Sequence, residues 1–404
     1  MMVLSSDPSP LRRGTRLAFS AAVAMALLAC SSEAHDVPFP AGDVLDATSD
    51  DTDVPAVDVD ARSGVDGDAS DSPGPACDPL SGNVAWSVLS VCREPGELLA
   101  VGGSSWHDVW VVGAGGVILH FDGCEWAAVP SGTTEDLWWV HAFGGGHAVV
   151  SGAAGTLLRV QLGGPAVAVE TGTTSILFGV WGAAPEDLWT VGFDPKGGGA
   201  IVLRVRGGEV DSLPVPVPDG AAVAAPFKVA GSGPSDVWIG GRDDLVLHYD
   251  GETLTPTPTG AGLDGDWVTV AMSGGRPVLV GGASNARIAE RSADGASWRV
   301  HSPELVPALQ GVCVAPDGSA WATGVAASIL RRVSPGDWAF DNDAPLDLFS
   351  PFEPPVPGCS QPTPDYHACW FDDHANLYVV GGNFLTLREG ALLFRGAPGM
   401  PLLP

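Results

Sequence analysis

The chain has 404 residues, with 54 Gly, 35 Pro and 14 Trp, and its 48 acidic against 19 basic side chains leave a formal net charge of −29. Phosphate contacts need clustered Lys and Arg, and the chain has only two lysines, Lys196 and Lys228, so this composition excludes a nucleic-acid partner. A cationic protein or a neutral glycan is compatible with it.

Arg12, Arg13 and Arg16 precede an apolar stretch from Leu17 to Ala29. That stretch is too short to cross a bilayer and matches the core of a signal peptide. It ends in Leu27-Leu28-Ala29-Cys30. This resembles the lipobox of bacterial lipoproteins, which implies that residues 1–29 are removed and that Cys30 carries lipid. Ser31 after the Cys implies export to the outer membrane. Residues 30–76 then read as a tether. Ser31 to Ala76 holds twelve acidic residues against Arg62 alone, with Phe39 as its one aromatic, and such a segment cannot offset its ordering entropy by burial. As a flexible coil it averages about 37 Å end to end, and extended it approaches ~150 Å. Asp58-Val59-Asp60 and Asp66-Gly67-Asp68 lack the spacing and closing Glu of a calcium loop, so no metal is expected.

Residues 77–404 are a repeat. Asp108-Val109-Trp110, Asp187-Leu188-Trp189 and Asp236-Val237-Trp238 are each followed by a Gly, and the series Gly113, Gly152, Gly192, Gly240, Gly281, Gly324, Gly381 marks seven units. Each unit opens with a short apolar run, places the Asp and an aromatic in a second, and ends with two more. Asp122-Gly123 and Asp250-Gly251 are hairpin signals. Four short runs per unit at a period near forty predict an all-β fold, a seven-bladed β-propeller of four-stranded blades. The longest step contains an insertion at 341–364 between blades six and seven. Ala85 to Val91 reads as a fourth strand without its first three, expected to close blade seven and protect its edge, in competition with Ala391 to Phe394.

Six cysteines remain after Cys30, and an even set in an exported chain predicts disulfides. The expected pairs are Cys359–Cys369, pinning the insertion to blade seven, and Cys77–Cys124, stapling the N-terminal strand to blade one. Cys92 and Cys313 are left over, Cys313 as a buried thiol. The recurring Asp108, Asp187, Asp236, Asp317 and Asp373 are read as turn residues accepting backbone N–H bonds, and the tryptophans as core. His120 and His248 are repeat equivalents. His367, Cys369, Asp372, Asp373 and His374 lack metal-ligand spacing.

The turns between second and third strands are Gly-rich in blade one, at Ala114-Gly115-Gly116. Three neighbouring blades depart from that form, with Lys196, then Arg242-Asp243-Asp244, then Ser284-Asn285. Departures on adjacent blades predict a binding site in which Arg242 and Asp244 contact a partner, Asp243 lies between them, and Lys196 and Asn285 border it.

Ser292-Ala293-Asp294-Gly295-Ala296-Ser297-Trp298 resembles the Asp-box hairpin of sialidase-type repeats, lacking one residue between Asp294 and Gly295. The closing Gly elements and Asp-Gly hairpins resemble photosystem-assembly-factor-like propellers and repeat-bearing lipoproteins of Gram-negative bacteria. Those resemblances imply a lipid-anchored envelope protein, monomeric and without cofactor, whose propeller binds a protein or a glycan without catalysis. The alternative they leave is a glycan-cleaving hydrolase, which would need a Tyr nucleophile with a partner Glu. Tyr249 and Tyr378 occupy repeat positions, so Tyr366 is the remaining candidate.

Overall fold

The computed structural model describes residues 77, 85–93, 96–194, 199–341, 343–344, 365–382, 390–396, 399–400 and 403. The expected signal peptide, the lipid-attachment residue Cys30 and the tether lie outside the described residues, as do Lys196, Cys359 and residues 345–364 of the insertion. The described residues form seven antiparallel sheets of four strands. In blade one these are Leu98–Ser105, Asp108–Gly113, Ile118–Phe121 and Trp126–Ala128, named a to d from the axis outward. The other a strands are Leu137–Gly144, Ile176–Ala184, Pro226–Gly233, Trp267–Ser273, Leu309–Val314 and Asp365–Phe371. Each touches the next, and the seventh touches the first, so the sheets close into a propeller.

Closure uses both chain ends. Blade seven runs Asp365–Phe371, Leu377–Gly382, Gly390–Gly396 and then Ala85–Arg93, antiparallel throughout. The N-terminal strand is therefore strand d, and Ala391 to Phe394 lies inside strand c. The two segments are neighbours and not rivals. Hydrogen bonding between the first and last strands removes the open edge that a linear array would expose.

The recurring Gly has a steric cause. A Cβ on Gly113, Gly152, Gly192, Gly281, Gly324 or Gly381 would meet the main-chain oxygen of Glu97, Asp136, Ile176, Asp266, Ala308 or Asp365 at 2.2, 2.6, 1.8, 1.8, 2.4 and 1.9 Å respectively. In blade four the residue in this register is Gly241, paired with Pro226, and not Gly240. Main-chain N–H groups next to these glycines donate to the same oxygens, as Ala114 does to Glu97 and Val325 to Ala308. The start of strand a and the end of strand b thus meet in backbone contact in every blade.

One place further on, every a strand carries a β-bulge, between Leu98 and Ala100 in blade one and at the same register in the other six. The extra residues of blades one to four, Leu99, Trp138, Phe178 and Phe227, pack together with Ile176 and Phe193. Between the blades, Trp110, Trp189 and Trp267 are fully buried. Each removes ~150–250 Å² from water, a transfer free energy of about 4–6 kcal/mol.

Among the described residues, two disulfides flank the closing blade. Cys77–Cys124 is formed, tying the chain ahead of the N-terminal strand to the c–d hairpin of blade one, with Cα atoms 5.4 Å apart. Cys369 does not pair with Cys359. It bonds Cys313, Cα atoms 5.6 Å apart, and so joins the a strands of blades six and seven. The expected free thiol at Cys313 is overturned for the same reason: neighbouring inner strands bring these two Cα atoms within bridging range, a proximity that sequence separation does not reveal.

Candidate functional site

Because strands alternate in direction, the b–c turns share one face of the ring with the connections from each strand d to the next strand a. The a–b and c–d hairpins share the other. On the first face, here the upper, the b–c turns of blades one, four and six lean on the connection that follows them. Gly115 N donates to Asp136 Oδ1 at 2.8 Å, Asp243 N to Asp266 Oδ1 at 3.0 Å and Ala326 N to Asp365 Oδ1 at 2.8 Å. A carboxylate placed just before an a strand therefore caps the turn of the preceding blade. Burial pushes the Asp266 carboxyl above its ordinary range.

The residues singled out in blades four and five do share this face. Asp243 and Asp244 adopt φ of 57° and 61°, a left-handed pair that short polar side chains tolerate. Arg242 Nε stands 3.7 Å from Asp243 Oδ2. Burial raises the Asp243 carboxyl, with Arg242 opposing it. Asp244 is not a surface contact, which corrects the expectation. It is buried, and it accepts bonds from Thr259 N at 3.1 Å, Thr259 Oγ1 at 2.6 Å, Gly260 N at 2.9 Å and Trp267 Nε1 at 2.8 Å. Its carboxylate, with both oxygens engaged, holds the connection into blade five and lies away from solvent. Asn285 is exposed, with its backbone bridged to Pro307. Arg287 reaches Asp264 at 4.0 Å, linking Asn285's turn to the connection that Asp244 holds.

The repeated aspartates serve the other face. Asp108 accepts from Ser104 Oγ at 2.6 Å, Trp110 Nε1 at 2.7 Å and His120 Nε2 at 3.0 Å. Asp236 takes the equivalent Trp238 at 2.8 Å and His248 at 2.8 Å. Asp187 instead holds Arg204, at 2.8 and 2.7 Å. In these three blades the carboxylate ties strands b and c through side chains, not through the turn N–H groups expected; Asp317 alone among the five keeps to its own turn, accepting from Ser319 N and Oγ. Against the upward push of burial, hydrogen bonds from His120, Ser104 and Trp110 hold Asp108 below the usual carboxylate range.

The mixed cluster in blade seven separates into structural contacts. His367 Nε2 meets Glu97 Oε1 at 2.5 Å, Cys369 is in its disulfide, Asp372 accepts from His374 N and Asn376 N, and Asp373 accepts from Trp106 N of blade one at 2.7 Å. Burial raises the Glu97 carboxyl while His367 opposes the shift. All three tyrosines are internal. Tyr366 and Tyr378 are fully buried with their hydroxyl pKa pushed up by burial, and Tyr249 accepts from Arg204 and donates to Gly251 O at 2.7 Å.

The sequence reading missed a set of apolar side chains on the upper face. Val217 and Val223 are 52% and 51% exposed on the connection from blade three to four, Leu263 is 52% exposed on the next, and Leu305 is 96% exposed on the one after that. The pattern that carries them is an aliphatic residue inside a Pro-, Gly- or Ser-rich connector, where hydrophobicity has no local structural use. A pocket of about 540 Å³ opens at Val217 and Val223, walled also by Pro214, Val215, Ala222 and Ala224.

No family model matches the chain, and no curated protein matches it. Among solved structures it is similar to YCF48 bound to D1 peptide, with a TM-score of 0.55 and 13% identity over 79% of this chain and 99% of that one. It is also similar to YCF48 from Cyanidioschyzon merolae, with a TM-score of 0.54 and 14% identity over 78% and 100%. The WD40 β-propeller domain of Doa1 matches with a TM-score of 0.54 and 8% identity, over 76% of this chain and 96% of that one. At these identities the likeness is one of fold.

Proposed function

We propose that the propeller is a non-enzymatic protein-binding module of the bacterial cell envelope, attached by lipid at Cys30, and that it meets its partner on the upper face over blades three to six. The observation that carries this reading is the sequence of exposed aliphatic side chains on three consecutive connections, Val217 and Val223, Leu263, then Leu305. Exposed aliphatic side chains on neighbouring connections, with a pocket at Val217 and Val223, are the kind of surface that interfaces use. YCF48, of the same fold, has been captured with a D1 peptide, an instance of this scaffold holding a polypeptide.

A protein fits this face better than a glycan, since sugar rings dock on aromatic faces and the exposed side chains here are aliphatic. A sialidase-like hydrolase, the alternative, would need a reachable Tyr nucleophile, and the disfavouring observation is that Tyr249, Tyr366 and Tyr378 are each buried or committed to hydrogen bonds within the ring. The topology also fits display. Cys77, next after the proposed tether, is bonded to Cys124 in a c–d hairpin, so the chain enters the ring on the lower face and its attachment leaves the upper face uncovered.

The test is capture of envelope proteins by the purified chain carrying Cys30→Ser, compared with the same chain carrying Val217→Asp and Leu263→Asp. Loss of a specific captured protein in the second chain supports the reading. Equal capture by both removes the upper face from the function.

A further inference from the structure

The same slot in the repeat can be compared round the ring. The connections from blade one to two and two to three read Ser131-Gly132-Thr133-Thr134 and Thr171-Gly172-Thr173-Thr174, polar and short, with Ser131 Oγ and Thr171 Oγ1 bonded back to main-chain oxygens. The next three are apolar at their tips. Turn chemistry is therefore satisfied by Ser, Gly and Thr, and the aliphatic residues serve something other than the turn.

Each aliphatic tip has an exposed acid beside it: Val217 with Asp219, Leu263 with Asp264, Leu305 with Glu304. The described cations of this face are Arg242 and Arg287, and they pair with Asp243 and Asp264. Lys228, the one lysine among the described residues, is buried near the axis and offers this face no charge. The surface is thus aliphatic and anionic together.

We infer that the occupant of this face, on the reading given above, is a polypeptide segment with apolar side chains on one side and Lys or Arg flanking them, a basic amphipathic segment of a partner protein. Its apolar side chains would seat against Val217, Val223, Leu263 and Leu305, one of them entering the pocket at Val215 and Val223. Its cations would meet Asp219 and Glu304, the acids of these connections that no described cation of this face pairs with. An anionic lipid surface would be repelled by the same acids. Complementary charge of this kind sets partner choice and encounter rate more than strength, and the apolar contacts hold the complex.

The experiment titrates the full chain carrying Cys30→Ser with three synthetic helical peptides by calorimetry, at low and at high salt. The first alternates Leu and Lys faces, the second replaces each Lys with Glu, and the third replaces each Leu with Ser. The expected result is one Leu/Lys peptide bound per chain, weakened about tenfold or more by Val217→Asp with Leu263→Asp. A chain carrying Val167→Asp and Val333→Asp, exposed apolar residues outside these connections, should bind as the parent does. The second and third peptides should bind at least about tenfold more weakly. Circular dichroism checks that each chain is folded, and Leu305→Asp replaces any that is not. Equal binding of the Leu/Lys and Ser/Lys peptides would reduce the interaction to unspecific charge and overturn the inference, as would equal binding by the Val217/Leu263 variant. If that variant loses its captured envelope protein while no chain prefers the Leu/Lys peptide, the partner chemistry is wrong and the face stands. If capture is unaffected, both fail.

Discussion

The ammonium group of Lys228, on the inner strand of blade four, lies 4.1 Å from the ring centroid of Trp139 on the inner strand of blade two. It reaches there past Gly179 of blade three, where an added Cβ would stand 3.0 Å from the Lys228 Cα, and it donates to the main-chain oxygens of Phe178 and, at 3.4 Å, Trp138. One side chain thus spans three blades and satisfies carbonyls that the bulges turn out of the strand ladder.

Burial pulls the Lys228 ammonium down to about 7 from 10.5. Between those values the unfolded chain holds a proton that the folded chain does not, so folding stability rises with pH across that window. The charged form therefore lowers stability below pH 7, by an amount on the order of a few kcal/mol. Denaturant unfolding of the parent and of Lys228→Met, followed from pH 7 to 10.5, should show the difference between them changing steadily in favour of the parent as pH rises. A difference that is flat in pH would mean that Lys228 titrates normally.

Asp244 and Arg242 are two residues apart and should behave oppositely. Asp244→Ala strands the Trp267 indole N–H and the N–H groups of Thr259 and Gly260, a loss of about 3 kcal/mol or more. Arg242→Ala, on a half-buried ion pair, should change stability by under about 1 kcal/mol. Urea midpoints of the two variants check this directly.

Peptide mapping without reduction should recover Cys313–Cys369 and Cys77–Cys124 as linked pairs. Replacing Cys313 and Cys369 together with Ala opens a loop of 56 residues of sequence separation and should cost about 3–4 kcal/mol. Recovery of Cys369 joined to any other Cys would refute the assignment.

Gly192→Ala places a methyl 1.8 Å from the Ile176 oxygen, and Gly281→Ala does the same to Asp266. Each should destabilise by several kcal/mol, because backbone and not a flexible side chain must move. Gly172→Ala serves as contrast: it meets no atom within 4 Å, and its positive φ alone should cost about 1–2 kcal/mol. Similar melting temperatures for all three would disprove the steric account of the repeat.

Cys30→Ser should shift the exported chain from membrane to soluble fraction, and proteases should cut between Ser31 and Ala76 before cutting the ring. Fractionation and timed digestion read both, and unchanged membrane partitioning would end the lipid-anchor proposal.

What the sequence determined by itself was the architecture. Blade number follows from the Gly series because each glycine answers a clash inside its own blade, at Gly113 against Glu97 or Gly381 against Asp365, within 16 residues of chain. The closing role of Ala85–Arg93 was legible in the same way, as a strand whose partners are missing locally. Asp122 and Asp250 in their hairpins are equally local.

Tertiary structure alone decided the rest, since the deciding contacts join residues far apart in the chain whose directions depend on how blades abut. Cys369 finds Cys313 at 56 residues, Glu97 finds His367 at 270, and Lys228 finds the Trp138 oxygen at 90. Asp244 and Asn285 look alike as polar turn residues, yet one turns inward to Trp267 and the other faces water. The aliphatic tips are the clearest case. Val217, Leu263 and Leu305 are ordinary core residues by type, and they are exposed because the antiparallel order of each blade puts its d-to-a connection on one face of the ring, where these side chains are left uncovered.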